Sequence, residues 1–262
     1  MASVTLSDTS LKIQSLSEPL WKVIRFQKDQ THLLSQGETL KFGRIKFLVK
    51  ELRTSLWSDP RSQRHVEVDS ANNTCKICLS EQFDEENPLI APCNCSGTMK
   101  FIHVDCLKMC VTSQLTIKTT EKCVSYTWKS INCSLCGVPF PNSITANDKT
   151  HAILLVNHPE PPYFVLESLA SHGSSRGMHS ISLKNTESVL LGRGHDSDIR
   201  ISDISVSRLH ARIKFHKENF YLEDYNSKFG TLVQVENTEL KDSEQVSLQC
   251  GRSLLEFKLK NK

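Results

Sequence analysis

The sequence predicts a mainly β, multi-domain protein: a small module built around two metal ions, with a β-sandwich after it. Three observations carry this. Cysteine and histidine crowd between residues 75 and 136 at metal-ligand spacing. From Pro161 onward, apolar and polar side chains alternate in short runs separated by turn residues. The length, 262 residues, suits two or three small domains.

In chain order, residues 1–17 are polar and rich in Ser and Thr, the composition of a disordered tail. They hold no basic stretch followed by an apolar one, so no secretory signal is expected. The apolar run Ala152 to Val156 stops at Asn157, far short of the ~18 residues that span a bilayer. The chain is therefore expected to be soluble, cytoplasmic and/or nuclear, where thiols stay reduced. Ten cysteines in that setting point to metal ligation. A net charge of +3 with no basic tail gives no reason to expect nucleic acid as a partner.

Residues 18–55 form a short β segment of unclear assignment. PLWKVIRFQK and LKFGRIKFLVKEL read as strands, and the apolar parity changes at Gly43, which suggests a bulge or tight bend. Too few residues lie here for an independent core, so the piece is expected to pack on a neighbouring domain. Its basic face (Arg44, Lys46, Lys50) reads as a solvated strand face. Residues 56–72 look like a linker.

The metal module spans residues 73–141. Its ligand series is C-x2-C at Cys75 and Cys78, then Cys93 and Cys95, then His103 and Cys106, and finally Cys133 and Cys136. Eight ligands make two complete tetrahedral zinc sites and leave no open position for a catalytic water. A module this small has little core of its own, so two zinc ions would supply its folding free energy. Spacing alone leaves open which ligands share a metal. Cys110, Cys123 and Cys250 are left over and read as small buried apolar residues.

The segments CKICL, PCNCSGTMKFIHVDCL and CSLCGVPF resemble the RING-CH (RINGv) variant of the RING finger, as in the membrane-associated RING-CH ubiquitin ligases. A PHD finger shares the ligand order but usually places its histidine four or five residues after the fourth cysteine, whereas seven intervene here. The resemblance implies a cross-brace, with Cys75, Cys78, His103 and Cys106 on one zinc and Cys93, Cys95, Cys133 and Cys136 on the other. It also implies a ubiquitin ligase with no catalytic residue of its own, which recruits a ubiquitin-conjugating enzyme and positions its charged ubiquitin. Enzyme docking is expected at Ile77, Leu107, Cys110, Pro139 and Phe140. Two positions depart from the pattern: Cys110 falls where the family often has tryptophan, and Gly137 where many RINGs have a ubiquitin-clamping arginine.

Residues 142–160 read as a second linker, and residues 161–262 as an all-β sandwich. Within the latter, LLGRGHDSDIRI, SVSRLHARI and EDYNSKFGT resemble the forkhead-associated (FHA) domain, whose loops bind phosphothreonine. A phosphate wants a guanidinium and short donors, and the resemblance assigns these to Arg193, Ser207, Arg208, Ser227 and Lys228. His210 is expected to brace the loops. Phe229 stands where most FHA domains have an asparagine that holds the peptide backbone. QGETLKFGRIKF, in the first β segment, resembles the closing strands of an FHA sandwich and suggests a remnant repeat.

Two functions follow from these expectations. One is a soluble RING-CH ubiquitin ligase whose FHA domain binds phosphothreonine-containing partners or substrates. The alternative is a non-enzymatic phosphopeptide-binding scaffold with a structural zinc module.

Overall fold

A computed structural model describes residues 2–6, 10–15, 18–25, 31–55, 66–68, 73–81, 84–154, 156–169, 176–241 and 245–258. The first third contributes β1 (Ala2–Leu6), β2 (Ser10–Ser15), β3 (Leu20–Ile24), β4 (His32–Leu33), β5 (Thr39–Phe42) and β6 (Ile45–Arg53). The middle contributes β7 (Glu67–Val68), β8 (Leu89–Ala91), β9 (Ile102–His103), α1 (Val104–Thr112), β10 (Thr116–Thr119), β11 (Cys123–Trp128), β12 (Ser143–Ala146) and β13 (Lys149–Ala152). The last third contributes β14 (Tyr163–Ser168), β15 (Arg176–Ser182), β16 (Ser188–Gly192), β17 (Ile199–Arg200) and β18 (Ala211–His216). It continues with β19 (Asn219–Asp224), β20 (Thr231–Val235), β21 (Asn237–Lys241), β22 (Gln245–Cys250) and β23 (Ser253–Lys258).

A ten-stranded sheet runs in the order β10-β11-β15-β14-β6-β5-β20-β3-β22-β23, and a five-stranded sheet in the order β17-β16-β18-β19-β4. Their facing sides form the sandwich core. Leu40, Phe42, Phe47 and Val49 from the first third are buried there with Phe164, Leu166, Ile181, Leu191, Ile213, Phe220 and Val233 from the last. Each fully buried side chain of this size contributes about 1.5–3 kcal/mol. Residues 39–53 are therefore structural members of the sandwich expected of residues 161–262 alone. Among the described residues, QGETLKFGRIKF contributes β5 and the start of β6 to that same sandwich. β5 and β6 pair from Thr39↔Leu48 to Phe42↔Ile45, so Gly43-Arg44 is a two-residue hairpin turn. Gly43 takes φ +59°, which reverses the chain and causes the parity change seen in the sequence.

The zinc module is an insertion in this sandwich. The chain leaves through β6 and returns through β14, and these strands pair antiparallel with Arg53 opposite Tyr163. A second seam joins the two parts: β11 pairs with β15 from Cys123↔Ile181 to Trp128↔Arg176. Residues 163–166 of β14, which pairs with β6 and β15, are buried on both faces because both faces are covered. Phe164 and Leu166 of β14 enter the sandwich core, while Tyr163 and Val165 enter a second core with Leu107, Val111, Tyr126, Trp128 and Met178.

Residues 142–160, expected to be a linker, contain the β12–β13 hairpin and place Ile144, Ile153 and Leu154 in that second core. Of the expected linker 56–72, residues 56–65 and 69–72 lie outside the described residues, and β7 pairs with β8. In the expected disordered tail, β1 and β2 form a sheet with β21, and Ile13 is fully buried. Among the described residues, no helix is long and apolar enough to cross a membrane.

Candidate functional site

Two metal-ligand clusters lie in the inserted module: Cys75, Cys78, His103 and Cys106, and Cys93, Cys95, Cys133 and Cys136. Within each, the ligand atoms all lie within 4.8 Å of one another. Cys78 Sγ is 3.3 Å from His103 Nδ1, and Cys95 Sγ is 3.6 Å from Cys133 Sγ. Zn–S bonds of ~2.3 Å in a tetrahedron put sulfurs roughly 3.8 Å apart. The two clusters fit two zinc ions, held by alternating pairs along the chain.

Local structure explains how the ligands converge. Helix α1 buries Val104, Leu107 and Val111, the i, i+3, i+7 stripe of an amphipathic helix. His103 is its N-cap residue and Cys106 lies in its first turn, so both face one cluster. The backbone N–H groups of Ile77 and His103 donate to Cys75 Sγ, each at 3.5 Å. Burial would raise the Cys75 thiol, but N–H groups of Cys78, His103 and Ile77 bring it down to about 6. Cys133 is likewise brought to about 6 against its burial, by N–H groups of Cys136 and Leu135. Burial, and then the charge of Cys75, pushes Cys106 up to about 12. Burial and contacts with Cys93, Cys133 and Cys136 do the same to Cys95. Thiols crowded in this way ionise together only around a cation.

The expected enzyme-docking residues separate. Ile77 is 47% exposed at the first knuckle, and Pro139 is exposed beside the second. Cys110 and Phe140 are half-buried, packed on the module core. Leu107 has no exposed surface, so it supports the fold and offers nothing to a partner. Leu135, inside the second knuckle, is 63% exposed. Its place in CSLC matches that of Ile77 in CKIC, a symmetry that could have marked it from the sequence. Gly137 has φ +71°, where a side chain such as arginine costs about 1 kcal/mol.

The loops expected to face a phosphate lie at one end of the sandwich. Arg193 N–H donates to Ser207 O at 3.0 Å, and Gly194 N–H donates to Arg208 O at 2.9 Å. This contact requires glycine at 192, because a Cβ there would stand 2.1 Å from Arg208 O. Buried His210 accepts Ser207 N–H at Nδ1 (3.1 Å), which leaves Nε2 to donate to Gly230 O at 3.3 Å. Burial lowers the pKa of this ring, in keeping with that neutral tautomer. Lys228 N–H donates to Ser207 Oγ at 3.0 Å.

The side chains of Arg193, Arg208 and Lys228 are exposed and that of Ser207 is partly so. Ser227, also expected to face the peptide, is instead buried: its hydroxyl and that of Thr231 both donate to Asp224 Oδ1. It shapes the turn. Phe229 is 58% exposed, with Lys228 Nζ 5.3 Å from its ring centre. The β5–β6 turn adds a support outside the FHA motifs: Arg44 N–H donates to Ser205 Oγ at 2.9 Å, and its guanidinium pairs with Asp203 at 3.0 Å.

Comparison with known proteins agrees with this division. The RING-variant domain family matches residues 75–136, and the FHA domain family matches residues 189–254. The chain carries both domains. The human E3 ubiquitin-protein ligase MARCHF1 is 47% identical over 55 residues, 21% of this chain and 19% of that protein. The rat probable E3 ubiquitin-protein ligase MARCHF10 is 30% identical over 103 residues, 34% of this chain and 13% of that protein. The Arabidopsis thaliana probable E3 ubiquitin ligase SUD1 is 43% identical over 51 residues, 19% of this chain and 4% of that protein. The chain thus spans only a small part of the curated relatives it matches. No solved structure matches it.

Proposed function

We propose that the protein is a RING-type ubiquitin ligase directed by phosphothreonine. The observation that carries this is the pair of exposed apolar knuckle tips, Ile77 and Leu135, on a module whose two ligand sets are complete. Filled tetrahedral zinc sites have no open position for chemistry, so the module acts by binding. The knuckle tips with Pro139 and Cys110 dock a ubiquitin-conjugating enzyme, and rate comes from holding its ubiquitin in a reactive pose. Arg193 meets two phosphate oxygens with its planar fork, which lysine cannot reproduce. Ser207, Arg208 and Lys228 supply further donors. Paired strands join the module to the sandwich, which sets a bound phosphopeptide at a defined distance from the docked enzyme.

The non-enzymatic scaffold draws its support from Gly137 and from the half-buried Cys110, a small anchor for docking. An in vitro ubiquitin-transfer assay over a panel of conjugating enzymes separates the two. Activity should appear with wild type and be lost in Ile77→Ala with zinc content unchanged. Inactivity with every enzyme, or activity indifferent to Ile77→Ala, overturns the docking assignment.

A further inference from the structure

The outer face of the ten-stranded sheet carries two like charges side by side. Lys41 on β5 stands directly opposite Lys46 on β6, and like charges so placed are destabilising. Both ammonium groups lie over one indole, 5.2 and 5.3 Å from the ring centre of Trp21. Among the described residues, neither lysine has a carboxylate within ion-pair distance. Burial, and then the charge of Lys46, lowers the pKa of Lys41.

Beside this pair runs a groove of about 360 Å³, floored by Val23 and Leu232 and edged by Lys41, Arg44, Arg252 and Phe229. No carboxylate lines it among the described residues. It begins where the phosphate-facing loops end, because Ser205, Phe229 and Gly230 belong to its wall. It crosses β5, β20, β3 and β22, neighbouring strands of one sheet. At ~4.8 Å per strand the crossing is roughly 15 Å, the length of about four extended residues.

We infer that this groove binds an acidic run next to the phosphothreonine on the same partner, so that the protein selects acid-rich phosphorylated segments. The inference rests on the phosphopeptide reading of Arg193 and Ser207. Lys41 and Arg252, with the apolar floor, suit Asp and Glu side chains borne on an extended backbone, whereas the Arg44 guanidinium is paired with Asp203. Strands β3 and β5 bring Val23, Trp21 and Lys41, so this specificity depends on a part of the chain outside both matched domains.

The test is a titration of the full chain with three fluorescent peptides: a phosphothreonine flanked by serines, the same flanked on both sides by aspartates, and the aspartate peptide without phosphate. Wild type should bind the acidic phosphopeptide roughly tenfold tighter than the serine one, as several partly exposed ion pairs allow. The gain should shrink as salt rises. Lys41→Gln with Lys46→Gln should remove the gain and leave serine-peptide affinity unchanged. The same double variant should keep a cooperative unfolding transition, because relief of the like-charge pair offsets the lost contacts with the Trp21 ring. Arg252→Gln should remove part of the gain.

Equal wild-type affinity for the two phosphopeptides, or a gain that survives the double variant, overturns the groove assignment and leaves phosphate binding standing. Binding of neither phosphopeptide overturns both. Anionic phosphatidylserine vesicles that bind wild type but not the double variant, with no acidic-peptide gain, would make the patch a membrane contact and overturn the proposal.

Discussion

His103 links ligand chemistry to packing, because it is buried at the N-cap position of α1 and completes the first cluster. His103→Ala should leave one zinc ion of two by metal analysis. It should also lower the melting temperature of the sandwich, because Val165 and Met178 share a core with Leu107 and Tyr126. A sandwich melting unchanged after zinc loss would contradict the shared core. All eight ligands were legible in the sequence, because tetrahedral coordination needs particular atoms at short spacing and tolerates few alternatives. The docking set was less so. Leu107 is apolar and follows the histidine ligand, as the resemblance asks of a docking residue, but the fold turns it inward on one stripe with Val104 and Val111. Ser227 is a similar case: only the fold shows that buried Asp224 takes its hydroxyl.

The β5–β6 hairpin is the element that ties the first third of the chain to the loop of Asp203, Ser205 and Ser207. A Cβ on Gly43 would stand 2.4 Å from Ser205 Oγ and 2.5 Å from its carbonyl oxygen, at a backbone φ of +59°. Gly43→Ala should therefore cost roughly 1–3 kcal/mol of stability, read by denaturant titration. It should also weaken phosphothreonine binding by shifting the loop that holds Ser207. Unchanged stability and affinity would show that the turn adapts freely. The strands and the tight turn were visible in LKFGRIKFLV, but their partners were not. Period-two alternation gives the faces of a strand, whereas pairing of β6 with β14 joins residues more than a hundred positions apart. The β10–β11 hairpin lies between the ligands Cys106 and Cys133, and nothing in the ligand spacing marks it.

The described residues build a sandwich with a zinc module inserted between its paired strands β6 and β14, which makes the first third indispensable to the last. Removal of residues 1–53 would strip Leu40, Phe42, Phe47 and Val49 from the core. Loss of even one such side chain costs about 2–5 kcal/mol, against about 5–15 kcal/mol for a whole domain. The truncated chain should fail to give a cooperative unfolding transition, even though it retains both matched domains. A cooperative transition like that of the full chain would show that the last third folds alone.

The central claim is that one body reads phosphothreonine and delivers ubiquitin. Its most direct test is ubiquitin transfer to a lysine-containing peptide, compared with and without phosphate on its threonine, with the full chain and an active conjugating enzyme. The account predicts transfer to the phosphorylated peptide, little to the plain one, and loss of that preference in Arg193→Ala with total ubiquitin-chain formation retained. Equal transfer to both peptides, or a preference that survives Arg193→Ala, would contradict it.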